Sequence, residues 1–502
     1  RLRSLRTARH HYQDLLEQDR LEKTFSNRTV LNRTARRQIL KLANNFFSAK
    51  EKTAMTRADG CDRETSGGDP SRETHSSPAG RTVLSALSSD EAWRMLPKAE
   101  RGGTQPLPVW ARLLAGGMPR TSAALLLLDR AQRMLGPVAP TLRAAMRRVS
   151  ARALRCEYAV KQAERDARAA GLDEAKLHAL ETDEYPGWSE AERAALRFAH
   201  RMTVDSDSVT DDEFAALVGQ FGPNRAAAMV VHLAYANFHE RLMLCLGTQC
   251  NLGEPMPPAD AEFSSRALLA HATPPLRRVP ASVDEQTSGA VGGDSERDSE
   301  SYEALQQRLE AQRDKPTRLP IPSWNDVAGR LPDDLMPGPN DIVWYRLCLG
   351  YAADLAVPFE IFMRAAMAES AGALDRVFGV GLFWVTTRAV RCPYCLGHCE
   401  MNWEVAGLSR DQIARRSRQL AGDDWSAFPP AQQRAYAFAH KLAVTPWAVS
   451  RDDIAMLARD LGNEAGLAVA VNACRYHYMT RISNGFQLTL ERENVFYDYY
   501  GQ

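Results

Sequence analysis

Long hydrophobic runs are absent from this chain of 502 residues. Its longest apolar stretches, such as AALLLLD and GVGLFWV, fall far short of the roughly 20 residues that a membrane-spanning helix needs. The opening RLRSLRTARHHYQD lacks the apolar segment of a secretory signal, and the missing initiator Met is expected of a fragment or an extended reading frame. These absences predict a soluble, cytoplasmic protein that does not contact a membrane.

An excess of charge of either sign is also missing. The 63 Lys and Arg residues nearly balance 62 Asp and Glu residues, and a net charge of +1 creates no overall field that would attract nucleic acid. No P-loop, dinucleotide fingerprint or Ser nucleophile elbow is present, which argues against phosphoryl, hydride and acyl transfer. The sequence therefore predicts no nucleic-acid partner and no cofactor.

Runs of alternating β-branched residues are lacking as well, whereas apolar residues recur every three to four positions, as in LDRAQRMLGPVAPTLRAAMRRVSARAL. Ser409 and Ser450 are predicted helix N-caps, and Gly407 and Gly462 are predicted to end helices. Polar stretches rich in Gly and Ser separate the helical regions. The sequence predicts an all-α fold with a basic, disordered arm (1–88), a helical domain (89–252), a flexible linker (253–318) and a second helical domain (319–502), each domain a bundle of about six helices.

The two predicted helical domains, called here the first half and the second half, repeat each other in sequence. The matched pairs are Arg155 with Arg391, Cys156 with Cys392, Tyr158 with Tyr394, Gly171 with Gly407, His200 with His440, and Arg241 with Arg481. The shift is 236 residues at the cysteine pair and 240 at the histidine pair. Because the matching blocks occur in the same order, we interpret the halves as a tandem duplication.

Cysteine is scarce, with nine residues in the whole chain. Six of them, including Cys61, Cys245 and Cys474, have no partner at a recognisable spacing and are expected to be small buried hydrophobes or inert thiols. The other three crowd into CPYCLGHC.

At about 100° per residue, Cys392, Cys395 and Cys399 share one stripe of a helix, and His398 lies about 60° from Cys395. An imidazolium and a helix N-terminus favour a thiolate, so we expect the pKa of Cys395 to fall below the ~8.5 of a free cysteine. Paired thiols of this kind can attack a peroxide or a disulfide and then close to a disulfide.

The R-x-C-x-Y-C core followed by His and AGLS resembles the AhpD-like superfamily, which includes alkylhydroperoxidase D and carboxymuconolactone decarboxylase. The resemblance covers most of residues 105–250 and 335–490. It implies an all-α fold, a homo-oligomer, and a peroxidase in which Cys395 attacks a hydroperoxide and Cys392 resolves the product, with His398 as a third catalytic residue. The implied electron donor is a dithiol such as a thioredoxin-like or lipoylated protein.

The sequence departs from the family pattern in two places. The region VFGVGLFWVTT has no relay glutamate, and Cys399 stands where the family has its histidine, with His398 one residue earlier. Cys399, Glu400, His440 and His477 are therefore candidate accessory residues.

The first half lacks the dithiol, because Ala159 and Gln162 replace the second cysteine and the histidine and leave Cys156 alone. We expect this half to supply packing surface. Three alternatives to the peroxidase remain open. They are a cofactor-free, decarboxylase-like pocket in the first half, a passive redox-sensing scaffold, and a zinc-type metal site made of Cys392, Cys395, His398 and Cys399.

Overall fold

The computed structural model describes residues 85–250, 253–269, 301–332, 335, 341–422 and 424–499. Every regular element in these ranges is a helix, and their β pairing is limited to an isolated bridge between Arg101 and Glu262. The predicted all-α fold is confirmed. None of the described helices combines the length and the apolar character needed to cross a bilayer. Cys61 and nearly all of the predicted arm lie outside the described residues.

The α-helices are numbered in chain order. They are α1 (Ser89–Met95), α2 (Val109–Ala115), α3 (Pro119–Met134), α4 (Pro140–Ala153), α5 (Glu157–Ala169), α6 (Glu174–Ala179), α7 (Glu190–Val204), α8 (Asp211–Phe221), α9 (Pro223–Leu246), α10 (Ser265–Leu269), α11 (Tyr302–Asp314), α12 (Trp324–Val327), α13 (Val343–Ser370), α14 (Arg376–Ala389), α15 (Pro393–Val405), α16 (Arg410–Ala421), α17 (Pro430–Val444), α18 (Arg451–Leu461), α19 (Asn463–Phe486) and α20 (Phe496–Tyr499).

Side-chain caps fix where several helices begin. Ser409 accepts a hydrogen bond from the Gln412 N–H, and the Gln412 side chain accepts one from the Ser409 N–H. Ser450 and Asp453 form a similar box at the start of α18. The predicted caps are therefore correct, and Gly407 has the positive φ expected of a residue that ends a helix.

The order and length of the helices repeat between the halves. α4 and α14 each have 14 residues, α5 and α15 each have 13, and α9 and α19 each have 24. The short α2 and the longer α3 correspond to one helix in the second half, α13, which contains a non-helical residue at Ala352. These matches agree with a tandem duplication, which remains an interpretation.

Each half contains more helices than the six expected. Within the described residues the first half has nine, α1 to α9, of which α1, α2 and α6 have only six or seven residues. Helices of two turns or fewer show too little periodicity to be recognised from sequence. In the segment predicted as a linker, α11 packs on the second half, where Gln312 Nε2 donates to the Leu488 carbonyl at 2.6 Å.

The two long helices α9 and α19 form the centre of the molecule. Nearly all side chains from Ala226 to Leu246 and from Ala465 to Phe486 are buried, which places both helices inside the protein. Apolar contacts continue between the halves, as where the rings of Phe238 and Phe362 lie 5.0 Å apart. The described residues all belong to one compact unit that extends from Pro78 to Gln502.

Candidate redox site

A tight backbone corner joins α14 to α15 and positions the two cysteines. Arg391 has a left-handed φ of 53°, and the Cys392 N–H donates to the Thr387 carbonyl at 2.9 Å, which closes the end of α14. Cys392 is then the N-cap of α15 and Pro393 its first residue, a position that suits proline. CPYCLGHC therefore begins a helix, as predicted.

Cys392 and Cys395 are neighbouring free thiols, and their side chains are hydrogen-bonded to each other. Both are buried, with 0% and 1% of their surfaces exposed. Cys395 Sγ also lies 3.2 Å from the Ser483 Oγ of α19, and that hydroxyl donates to the Met479 carbonyl. The structure therefore brings together the two cysteines predicted as a dithiol and adds Ser483, which sequence reasoning missed.

The predicted activation of Cys395 by His398 is wrong for this arrangement. Burial raises the pKa of Cys395 well above its usual value, the hydrogen bond with Cys392 raises the pKa further, and Ser483 lowers it only in part. The imidazole does not offset the burial because His398 Nε2 lies 2.8 Å from a carboxylate oxygen of Glu491.

Arg481 is a buried arginine that lies near enough to Cys392 to interact with it electrostatically. Burial and the neighbouring Arg241 lower the pKa of Arg481 well below its usual value, and Cys392 is the largest influence that raises it. Arg481 Nη1 contacts His477 Nδ1 at 2.9 Å, and burial together with both arginines keeps the pKa of His477 well below normal. His477 is therefore a neutral partner of Arg481 at neutral pH.

Glu491 is the second residue that the sequence did not reveal. It accepts hydrogen bonds from the Tyr394 hydroxyl at 2.8 Å and from the Val343 N–H at 2.7 Å, and it pairs with His398. Burial opposes ionisation of Glu491, but His398 and the Val343 N–H outweigh burial and lower its pKa. No local motif indicates Glu491, because it follows His398 by 93 residues.

Of the remaining candidates, Cys399 lies close enough to Cys392 and Cys395 to interact with them electrostatically, whereas Glu400 and His440 face other parts of the molecule. Cys399 is buried, which raises its pKa, and it is hydrogen-bonded to Thr387. Glu400 accepts from Gln306 Nε2 of α11 at 2.7 Å, and partial burial raises its pKa. His440 is half-buried in a cleft that it shares with Arg388 and Trp425 among others, so it does not join the dithiol.

Metal binding receives no support from the described residues. Across these ranges no group of three or more His, Cys, Asp or Glu side chains is arranged to hold a metal ion. The physical reason is that His398 points to Glu491 while the Cys395 thiol points to Ser483 of α19. The alternative zinc site is therefore not assembled.

The first half has the same corner with different side chains. Arg155 has a φ of 54°, and the Cys156 N–H donates to the Ala151 carbonyl at 2.9 Å. Burial raises the pKa of Cys156, and the residue one turn later is Ala159. Gln162 is hydrogen-bonded to Arg147, whereas the matching His398 pairs with Glu491, a carboxylate in the segment that follows α19.

The first half nevertheless has a counterpart of Glu491. It is Glu254, which lies in the segment that follows the long helix α9. Glu254 accepts from the Tyr158 hydroxyl at 2.7 Å and from the Val109 N–H at 2.6 Å. These contacts match those of Glu491 with Tyr394 and Val343. Glu254 and Glu491 therefore share a structural task, and only Glu491 is paired with a histidine.

Comparison with known proteins adds no identification, because neither a protein-family model nor a curated protein matches the chain.

Proposed function

We propose that the chain is a thiol-disulfide oxidoreductase that reduces hydroperoxides through Cys392 and Cys395. The proposal depends on one observation, the hydrogen-bonded pair of free thiols at the N-terminus of α15, with the guanidinium of Arg481 nearby. A vicinal dithiol can accept two oxidising equivalents without a cofactor. The resemblance to AhpD-like peroxidases points to the same use.

The chemistry follows from the two thiols. The Cys395 thiolate attacks the outer oxygen of a hydroperoxide, the O–O bond breaks, and the leaving alkoxide takes a proton to become an alcohol. Cys392 then attacks the sulfur of the resulting sulfenic acid and releases water as the disulfide forms. An external dithiol, from a thioredoxin-like or lipoylated protein, restores both thiols by exchange.

The residues around the two thiols determine how much of the reactive thiolate is present at a given pH. A thiolate on Cys395 would accept a hydrogen bond from Ser483 when that hydroxyl turns away from the Met479 carbonyl, and a negative charge on Cys392 would stabilise the guanidinium of Arg481. Because burial raises the pKa of Cys395, the fraction of thiolate is small at neutral pH. We therefore expect the rate of oxidation to keep rising with pH up to at least pH 9.

The test is stoichiometric oxidation. The reduced protein is treated with tert-butyl hydroperoxide and then denatured, alkylated and weighed by intact-mass spectrometry. We expect Cys392 and Cys395 to lose labelling together, with peptide mapping to assign them, and dihydrolipoamide to restore it. A protein in which both cysteines stay labelable would contradict the proposal.

The same experiment separates the alternative functions. A redox-sensing scaffold would form the disulfide once but would not consume hydroperoxide in repeated cycles when dihydrolipoamide is supplied. We expect repeated cycles, with consumption that is proportional to protein concentration. A single turnover would favour the scaffold.

A further inference from the structure

Cys245 and Cys474 form a second pair of buried thiols. Cys245 lies near the end of α9 and Cys474 near the middle of α19, and their sulfur atoms are 3.6 Å apart. Neither side chain is exposed to solvent. The pair joins the two halves of the molecule, since 229 residues separate the cysteines in the chain.

A buried arginine accompanies this pair too. Arg241 precedes Cys245 by one helical turn, and both Cys245 and Cys474 favour its charged form. Burial raises the pKa of Cys245, whereas Arg241 lowers it. Arg241 matches Arg481 in the repeat, so the same position of each long helix places a guanidinium near a pair of thiols.

We propose that Cys245 and Cys474 are a second oxidisable dithiol, which closes to a disulfide between the halves. To form the bond, the sulfur atoms have to approach from 3.6 Å to about 2.05 Å. This inference does not depend on the proposed function, because it is tested in a protein that lacks Cys392 and Cys395.

The oxidant belongs to the class of hydroperoxides. One thiolate attacks the outer peroxide oxygen, the O–O bond breaks, and an alcohol, or water from hydrogen peroxide, leaves after taking up a proton. The second sulfur then attacks the sulfenic acid and releases water. Two thiols and one hydroperoxide thus give one disulfide, one alcohol and one water.

Plain packing is the competing explanation, since a buried cysteine often serves as a small apolar side chain. Cys348 is a matched example from α13, because it is buried as well and burial raises its pKa. Packing alone predicts that Cys245 and Cys474 respond to oxidant as Cys348 does. The proposal predicts that they respond as a pair.

The experiment uses the full chain carrying Cys392→Ser and Cys395→Ser, which removes the first dithiol. This protein is treated with hydrogen peroxide, denatured, alkylated, weighed and mapped by peptide mass. We expect the loss of two labelable thiols and a peptide pair joined through Cys245 and Cys474. Cys474→Ser in the same background should abolish the crosslink, and Cys348→Ser should leave it unchanged.

Two results would overturn the proposal, namely full labelling of both cysteines after hydrogen peroxide or a crosslink that joins other cysteines. Thermal unfolding of the Cys392→Ser/Cys395→Ser protein, in which Cys245 and Cys474 are both intact, gives a second check. Oxidation should raise the melting temperature by several degrees, and dithiothreitol should reverse the rise. No change in melting temperature together with full labelling would count against the pair.

Discussion

At the corner before α5 and before α15, the two halves have the same backbone conformation but different side chains. Both have an arginine with a left-handed φ followed by a buried cysteine. In both, a glutamate after the long helix accepts hydrogen bonds from a tyrosine hydroxyl and from a backbone N–H at the start of a helix. The second half adds a cysteine and a histidine where the first has Ala159 and Gln162, and Ser483 where the first has Met243. The comparison indicates that the corner is a requirement of the fold, whereas the proposed redox chemistry depends on a few added side chains.

The largest expected difference between the halves is in peroxide turnover. Cys395→Ser should abolish dithiol-dependent consumption of tert-butyl hydroperoxide, because the attacking thiolate is missing. Cys392→Ser should stop turnover after Cys395 becomes a sulfenic acid or a mixed disulfide, which dimedone labelling and mass spectrometry would detect. A sulfenic acid trapped on Cys392 in Cys395→Ser would instead reverse the two roles.

Cys156→Ser is the control in the first half. It should leave turnover unchanged and reduce the free energy of unfolding by about 1 kcal/mol, because a hydroxyl replaces a buried thiol. A strong loss of turnover in Cys156→Ser would contradict the division of labour between the halves.

Residual turnover in Cys392→Ser that disappears when Cys399 is also replaced would identify Cys399 as a second resolving thiol.

The glutamates that follow the two long helices, Glu254 after α9 and Glu491 after α19, should differ in how much they stabilise the folded protein. Glu491→Gln breaks a buried pair with His398 and should lower the free energy of unfolding by about 3 kcal/mol. Glu254 has only a long contact to a charged group, 4.0 Å from the partly exposed Arg112, so Glu254→Gln should cost about 1 kcal/mol. Urea unfolding of both variants measures the difference.

The pH dependence sharpens this prediction. The pKa of Glu491 is lowered, so its stabilising effect is present above the unfolded pKa near 4.3 and is lost as pH falls through the folded pKa. Replacing His398 by Gln, the residue of the first half, should make Glu491→Gln no more costly than Glu254→Gln. An unchanged cost in that background would mean that the contact with His398 does not contribute to the stability.

A buried acid in the first half should make stability depend on pH in the opposite direction. Glu240 accepts from the Ser150 hydroxyl at 2.7 Å, and burial raises its pKa to about 8, whereas the second half has Thr480 at the matching position. Between about pH 4.3 and 8 the unfolded chain loses this proton while the folded chain keeps it, so stability falls as pH rises.

Glu240→Gln should remove this loss. From pH 5 to pH 8 the free energy of unfolding of the unaltered protein should fall by on the order of 3.5 kcal/mol more than that of the variant. Chemical denaturation at several pH values measures both slopes. Parallel slopes would show that Glu240 is ionised in the folded protein.

The smallest expected effect concerns the contact of the tail with α15. A Cβ on Gly397 would lie 2.5 Å from Leu490 Cδ2, whereas the first half has Lys161 at the matching position. Gly397→Ala should destabilise the protein by about 1 kcal/mol because the leucine must move. In a Leu490→Ala background the same change should stabilise by about 1 kcal/mol, since alanine favours the helix. Thermal denaturation of the four proteins tests the reversal of sign.

The sequence revealed features that depend on neighbouring residues. The helical period predicted the all-α fold, and Ser409 and Ser450 predicted their caps, because a cap contacts backbone within three residues. The contacts of Ser483 and Glu491 depend on how α19 and the following segment return to α15, which no local pattern encodes. The same limit explains why Cys245 and Cys474 lacked a recognisable partner spacing although their sulfur atoms are 3.6 Å apart.

The left-handed arginines have a consequence for how such a protein can evolve. A non-glycine residue with a φ near 54° costs some conformational energy, and both halves accept this cost. Because the corner forms with Ala159 as readily as with Cys395, a thiol can be gained or lost there by a single codon change without refolding the chain. Helix pairs with this corner can therefore exist with or without the second cysteine, and a search by cysteine pattern alone would recognise only those that have it.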